Sequence, residues 1–253
     1  MELHLRGKNA VIAGATRGIG RAIAQLMAVE GCNLSICARN QANVNTVVSE
    51  LGMQGIQAMG ASVDAADRDA QAEWINDSAQ QLGGIDIFVA NVSALNQDIG
   101  EEAWRQSFEV DMMATFYGVD AATPFLKSAE AGSMVLISSI AALHTPGGPK
   151  PYGAMKAAVI NYTKGLARAL APDGIRVNAV SPGNIYFEDG IWDQTKRNNP
   201  VLFQKQVEAN PMGRMGTPAE VANAVVYLAS PAASFISGAN LIVDGALTLG
   251  VQY

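Results

Sequence analysis

The chain has 253 residues, 49% of them hydrophobic, and a formal net charge of −6. That length suits one large α/β domain or two small ones with a substantial core, and no linker or charge block divides it, so a single domain over 1–253 is expected. The acidic balance argues against nucleic acid or an anionic membrane surface as a partner; with no signal-peptide core at Met1–Lys8 and no apolar run approaching about 20 residues, a soluble cytoplasmic protein is expected.

Short apolar runs alternate with helical patterns along the chain. The first run, Asn9–Ala13, leads straight into Gly14-Ala15-Thr16-Arg17-Gly18-Ile19-Gly20 and a helical pattern over 18–30. Glycines at a strand-to-helix turn let the backbone approach a pyrophosphate, and a helix amino terminus supplies free N–H groups, so this loop predicts nucleotide binding. The second run, 33–38, holds Cys37 and follows Cys32. An extended five-residue separation is about 16 Å, too long for a disulfide, so both read as buried structural thiols.

Where an acidic residue would hold a ribose 2′-hydroxyl, the second run ends in Cys37-Ala38-Arg39-Asn40. Arg39, helped by Arg17, would pair instead with a 2′-phosphate, which predicts NADPH in preference to NADH. The plainer reading is two solvated surface arginines. Next come a helix at 41–51, a strand at 56–59, a helix at 68–82 capped by Asp67, and a strand at 85–90 that ends beside Asn91. The helical pattern at 101–127 carries Phe108, Val110, Met112, Met113, Phe116, Tyr117 and Val119, more apolar positions than one face requires.

The fifth run, Ser133–Ser138, delivers Ser139 to the carboxyl end of a buried strand, where open α/β sheets hold ligands. His144, five residues on, reads as a pocket wall or a solvent-facing side chain. Tyr152 and Lys156 follow in a helix at 152–171, four apart and therefore on one face. An ammonium beside a phenol favours the phenolate, which predicts a Tyr152 poised for proton transfer. A strand at 175–180 precedes Pro182-Gly183. The stretch 184–216 lacks any sheet signal and interrupts the alternation, as a substrate lid does. Its Tyr186, Phe187, Ile191, Trp192 and Phe203 either cover a substrate or pack the lid onto the body, and Lys196 and Arg197 leave room for an anionic substrate. A helix at 218–229, opened by Thr217-Pro218 with Glu220, and a strand at 239–243 close the series. With two histidines and no Cys/His cluster, no metal site is expected.

Strands that are near-continuously apolar and separated by helices imply an α/β fold: a single-domain Rossmann fold with a doubly wound, seven-stranded parallel sheet and helices on both faces.

With its glycine loop, Ser139…Tyr152…Lys156 and Pro182-Gly183 in this order, the chain resembles the short-chain dehydrogenase/reductase family, including members similar to 3-oxoacyl-carrier-protein reductases. The resemblance covers essentially the whole chain. It implies that Ser139 hydrogen-bonds a substrate carbonyl oxygen, that Tyr152 exchanges the proton, and that Lys156 tunes Tyr152 and holds the nicotinamide ribose. It places Asn91, Val63, Pro182, Gly183 and Ile185 at the cofactor, and it implies a small carbonyl or alcohol substrate and a homotetramer. The chain departs from the family pattern at several places: the usual Asn of the proton relay is Asp111, the Asp-Val pair whose Asp contacts adenine reads Ser62-Val63, the Thr two residues after Ile185 is Phe187, and Asn-Asn-Ala-Gly reads Ala90-Asn91-Val92-Ser93. The leading expectation is an NADPH-dependent oxidoreductase acting on a ketone or secondary alcohol. The alternatives are a 3-oxoacyl-carrier-protein reductase and a catalytically silent NADPH sensor.

Overall fold

The central apolar runs become strands because both faces of each are covered: every residue of Ser133–Ile137 and of Arg176–Pro182 is buried. The computed structural model describes residues 2–251 apart from Gln97, Pro146 and Gly147. In chain order the elements are β1 (Asn9–Ala13), α1 (Gly18–Val29), β2 (Asn33–Ala38), α2 (Gln41–Gly52), β3 (Ala58–Ser62), α3 (Arg68–Leu82) and β4 (Ile87–Ala90). There follow α4 (Glu101–Ser107), a π-helical turn (Phe108–Met113), α5 (Ala114–Ser128), β5 (Ser133–Ile137), α6 (Pro151–Leu170) and β6 (Arg176–Pro182). The chain then forms α7 (Ile191–Asn198), α8 (Pro200–Glu208), α9 (Pro218–Ala229) and β7 (Asn240–Val243).

The sheet is seven-stranded and wholly parallel, in the order β3-β2-β1-β4-β5-β6-β7. Alternate side chains of one strand serve opposite cores: Ala10 and Ile12 of β1 join the apolar layer under α1, α2 and α9, while Val11 and Ala13 join the layer under α3, α5 and α6. The strand order reverses between β1 and β4. This topological switch opens a cleft at the carboxyl ends of both strands, beside Gly14 and Asn91.

Local chemistry fixes several ends. Asp67 accepts hydrogen bonds from the N–H groups of Asp69 and Ala70, and Thr217 with Glu220 forms a reciprocal capping box on α9. The carboxyl end of α9 is capped from the sheet: the buried Arg176 guanidinium donates to the carbonyls of Leu228, Ala229 and Ser230 at 2.6, 3.1 and 3.0 Å.

Three differences from expectation shape the molecule most. The third strand lies at Ala58–Ser62 rather than 56–59, because pairing of Leu34–Ala38 with Ala58–Ser62 outweighs a weak apolar signal at the sheet edge. The helix expected at 101–127 contains the π-helical turn, which adds a residue to the winding and turns Asp111 inward to full burial. The region 184–216 holds α7 and α8, and its two ends are joined by a parallel bridge between Ile185 and Gly216.

Candidate active site

The glycine loop is shaped by close approaches that exclude side chains. A Cβ on Gly20 would stand 2.0 Å from the Gly14 carbonyl oxygen and 2.4 Å from Asn91 Nδ2. Gly14 and Gly18 take φ values of +79° and +52°, the left-handed region that favours glycine. Asn91 ties the two central strands together at the switch, its Nδ2 donating to the Gly14 carbonyl at 2.7 Å. No side chain caps the amino end of α1, and its first turn holds no acidic residue. First-turn N–H groups and a favourable dipole therefore remain for an anion, as a dinucleotide pyrophosphate requires. Thr16 and Ile19 sit within this loop, partly buried.

At the end of β2, Asn40 caps α2 by accepting from Asn43 N–H, so the neighbouring Arg39 is left pointing into solvent. Arg17 is exposed as well, and neither guanidinium has a hydrogen-bond or ion-pair partner among the described residues. Val63 is buried and bonds the Ala38 carbonyl through its N–H at 3.0 Å. Beyond β6, Gly183 N–H donates to the Val243 carbonyl at 2.9 Å, and a Cβ there would meet Asp244 at 2.7 Å. Pro182 and Ile185 are buried beside it.

Ser139 leaves β5 in an extended conformation and accepts from Ala141 N–H at 3.1 Å. Tyr152 stands in the first turn of α6, directly after Pro151, the residue whose fixed φ suits a helix start. Its phenol is close enough to the Ser139 and Ser93 hydroxyls to feel both electrostatically, and the Lys156 ammonium lies 5.8 Å from its ring centroid. Lys156 is 2% exposed; its Nζ donates to the Ile137 carbonyl at 3.2 Å and pairs with Asp111 Oδ1 at 3.3 Å. Asp111, in turn, accepts from Ser93 Oγ at 2.5 Å. Ser139, Tyr152, Lys156 and Asp111 thus form one cluster at the carboxyl ends of β4 and β5.

The electrostatics run against the sequence expectation for Tyr152. The phenol is held up at about 12: burial raises it most, the Asp111 charge adds to that, and interactions with the Ser139 and Ser93 hydroxyls offset only part of the rise. Lys156 does not win because its own charge is matched by Asp111 at close range. Burial also lowers the Lys156 pKa, with the Asp111 charge and hydrogen bond opposing. Ser93 was not legible as a site residue. The signal was its place just past Asn91, at a position where the family pattern has glycine.

The lid residues are mostly engaged with one another. Tyr186 donates its hydroxyl to Asp193 at 2.8 Å and meets Phe203 edge-on at 5.8 Å, while Lys196 lies over both rings at 5.3 and 5.6 Å. Arg197 bonds the carboxylates of Asp189 and Asp193, so neither lid cation is free for an anionic substrate. Trp192 is half-buried and His144 is exposed. Phe187 packs against the glycine loop: its ring lies 2.7 Å from where a Cβ on Gly18 would stand. Among the described residues no group of His, Cys, Asp and Glu is arranged to hold a metal, and no helix is long and apolar enough to cross a membrane.

A family model described as enoyl-(acyl carrier protein) reductase matches residues 14–248. The chain is 38% identical to isoepoxydon dehydrogenase patN of Penicillium expansum, over 98% of each chain. Among solved structures it is similar to L-sorbose reductase from Gluconobacter frateurii complexed with NADPH and L-sorbose, with TM-score 0.89, 28% identity and coverage of 99% and 100%. It is also similar to a 7α-hydroxysteroid dehydrogenase complexed with NADH and 7-oxo glycochenodeoxycholic acid, with TM-score 0.90, 30% identity and coverage of 97% and 96%. With this fold, this cleft and these relatives, the chain belongs to the short-chain dehydrogenase/reductase family, oxidoreductases that act on CH–OH and C=O groups with a nicotinamide cofactor.

Proposed function

We propose that this protein interconverts a ketone and a secondary alcohol with NADPH, using Tyr152 as the general acid and base. The observation that carries the reading is the convergence of Ser139, Tyr152 and Lys156 at the carboxyl end of β5, across from a loop whose Gly14, Gly18 and Gly20 have positive φ or leave no room for a Cβ. Bound nicotinamide supplies the hydride to the carbonyl carbon in reduction and accepts it in oxidation.

This chain's own residues do the rest. Thr16, Gly18, Ile19 and Gly20 present backbone N–H groups and the α1 amino end to the pyrophosphate, while Gly14, whose N–H donates to the Cys37 carbonyl at 3.0 Å, shapes the cofactor-binding turn. Asn91, Val63, Pro182, Gly183 and Ile185 line the cofactor cleft. Ser139 donates its hydroxyl to the substrate oxygen and fixes it beside Tyr152. Tyr152 passes its phenolic proton to that oxygen in reduction and removes it in oxidation. Lys156, held by Ile137 and Asp111, orients the ribose hydroxyls and supplies positive charge next to the phenol. Arg17 and Arg39 pair with the 2′-phosphate. The two solved relatives carry different cofactors, one NADPH and one NADH, so the preference for NADPH rests on these unpaired arginines.

The substrate we infer is a medium-sized, partly apolar carbonyl compound. His144, Tyr186, Phe187 and Trp192 are the candidates to bound it, although Tyr186 and Phe187 also serve as packing residues of the lid. Against a carrier-protein substrate, the turn before β6 presents Asp173, ion-paired to Lys127 at 2.9 Å, rather than a free cation for an acidic carrier. A homotetramer fits the half-exposed Trp104 and Phe108 on the outer helices and Leu241 on the edge strand.

A panel of ketones and secondary alcohols, assayed with both cofactors, identifies the substrate. With the best of them, Tyr152→Phe is expected to lower kcat by about 10²–10⁴-fold. Unchanged turnover in that variant sinks the mechanism.

A further inference from the structure

The ring of Phe187 stands in a slot between two glycines that belong to different segments. Its outer carbons Cζ, Cε2 and Cε1 lie 2.7, 2.9 and 3.0 Å from where a Cβ on Gly18 would stand, and 2.9, 2.9 and 3.0 Å from where a Cβ on Gly190 would stand. Carbon atoms pack best at about 3.5–4.0 Å, so a methyl group at either place would displace the ring. Gly18 opens α1 at φ +52°, which by itself favours glycine. Gly190 caps α7 at φ −77°, an ordinary backbone for any residue, so there the ring is what excludes a side chain.

The slot is filled from the lid side by a stiff piece of chain. Gly190 N–H closes a turn on the Phe187 carbonyl at 3.1 Å, and Asp189 within that turn takes φ 56°, a left-handed conformation that non-glycine residues seldom adopt. Asp189 is fastened to α7 twice: its N–H donates to Asp193 Oδ2 at 3.0 Å, and its Oδ1 accepts from Arg197 at 2.8 Å. The turn and α7 are thus tied together, with Phe187 as their foot on the glycine loop. That foot also packs against the apolar layer under α1.

A glycine at the first turn of α1 lets a diphosphate come close to backbone N–H groups. The space that Gly18 leaves open by lacking a Cβ is the space the Phe187 ring fills. We propose that Phe187 is a positioning residue that seats the lid on the phosphate cradle of the cofactor-free protein and gives up that seat to the cofactor's diphosphate, so that cofactor affinity and lid position are coupled. The proposal rests on the dinucleotide reading of the glycine loop. Only molecules with the ring withdrawn are competent to bind, and the observed affinity is lowered by that fraction. The released ring is then free to bound the substrate.

The test compares Phe187→Ala with wild type by two readouts that need no turnover. In the cofactor-free protein, amide hydrogen exchange over 188–198 is expected to be about 10-fold faster or more in the variant, because the lid has lost its foot. In titrations followed by nicotinamide fluorescence, the variant's Kd for NADPH is expected to be about 5-fold lower or more, since no ring has to leave. Phe187→Leu keeps a shorter apolar foot and is expected to lie between the two proteins in both measurements. Unchanged lid exchange in Phe187→Ala overturns the seat. An equal or higher Kd overturns the competition, a higher one because it would mean that the ring packs on the bound cofactor. A wild-type protein that binds neither NADPH nor NADH overturns the dinucleotide reading and this proposal with it, whereas wild-type binding with no gain in the variant overturns this proposal alone.

Discussion

Tyr152 lies between a cation one helical turn away and an anion on the π-helical turn, and which of them dominates is decided by contact. Asp111 at 3.3 Å from Lys156 matches the ammonium, so the phenol is governed by its burial. Ser139, Tyr152 and Lys156 were legible because their chemistry is carried by spacing along a helix and by position at a strand end. The Ser93 contact was not, because nothing in the local sequence ties residue 93 to residue 111. Asp111 stood out only as a departure, and its side-chain partners needed the fold. Arg39 belongs to the same scale. Exposed and unpaired, it is free to meet a 2′-phosphate, and Arg39→Asp is expected to lower the NADPH/NADH ratio of kcat/KM by about 10-fold or more, as loss of a charge-assisted bond of about 1.5–3 kcal/mol implies. An unchanged ratio would remove Arg39 from the cofactor site.

Elements whose signal lies in their own residues were read within a few positions, and those that depend on their neighbours were not. The helix at Arg68–Leu82 begins where Asp67 caps it, and α9 begins at its capping box. By contrast, the surplus of apolar residues in 108–119 hid the change of phase that the π-helical turn introduces; that turn is stabilised by the fit of Asp111 against Ser93 and Lys156, which no periodicity records. The lid helices α7 and α8 are eight and nine residues long, too short to be stable alone. Their order comes from each other and from Asn199, which accepts from Leu202 N–H at 3.0 Å. Capping supplies a prediction for α9. Thr217→Ala removes the side-chain half of the box and is expected to cost about 1 kcal/mol, read as a lower urea midpoint at constant slope. A midpoint equal to wild type would show that the Arg214–Glu220 pair holds the turn without the hydroxyl.

Across the whole molecule, the parallel sheet buries two free thiols, one in each apolar layer, and this gives stability a dependence on alkaline pH. Burial is the main cause that lifts both Cys32 and Cys37 from 9.0 to about 12. Both folded values lie above the unfolded one, so the unfolded chain loses these protons first. The contribution is therefore complete below pH 9 and is lost progressively between 9 and 12. Urea midpoints are expected to fall across that window, and Cys37→Ala to flatten the fall; an equal slope in the variant would assign the alkaline loss to other groups, Tyr152 among them. The doubly wound parallel sheet followed from the alternation of strands and helices, since parallel neighbours need long crossovers that leave few topologies open. At the same scale, the bridge between Ile185 and Gly216, reinforced by Tyr186 N–H to Gly216 at 2.8 Å and Gly216 N–H to Asn184 at 2.9 Å, brings both ends of the lid to one point on the scaffold. A segment that enters and leaves through one doorway is exchangeable: residues 187–215 can be swapped, lengthened or rewritten between relatives while the chain on either side keeps its register, so new substrate ranges can arise here without renegotiating the sheet that carries the chemistry.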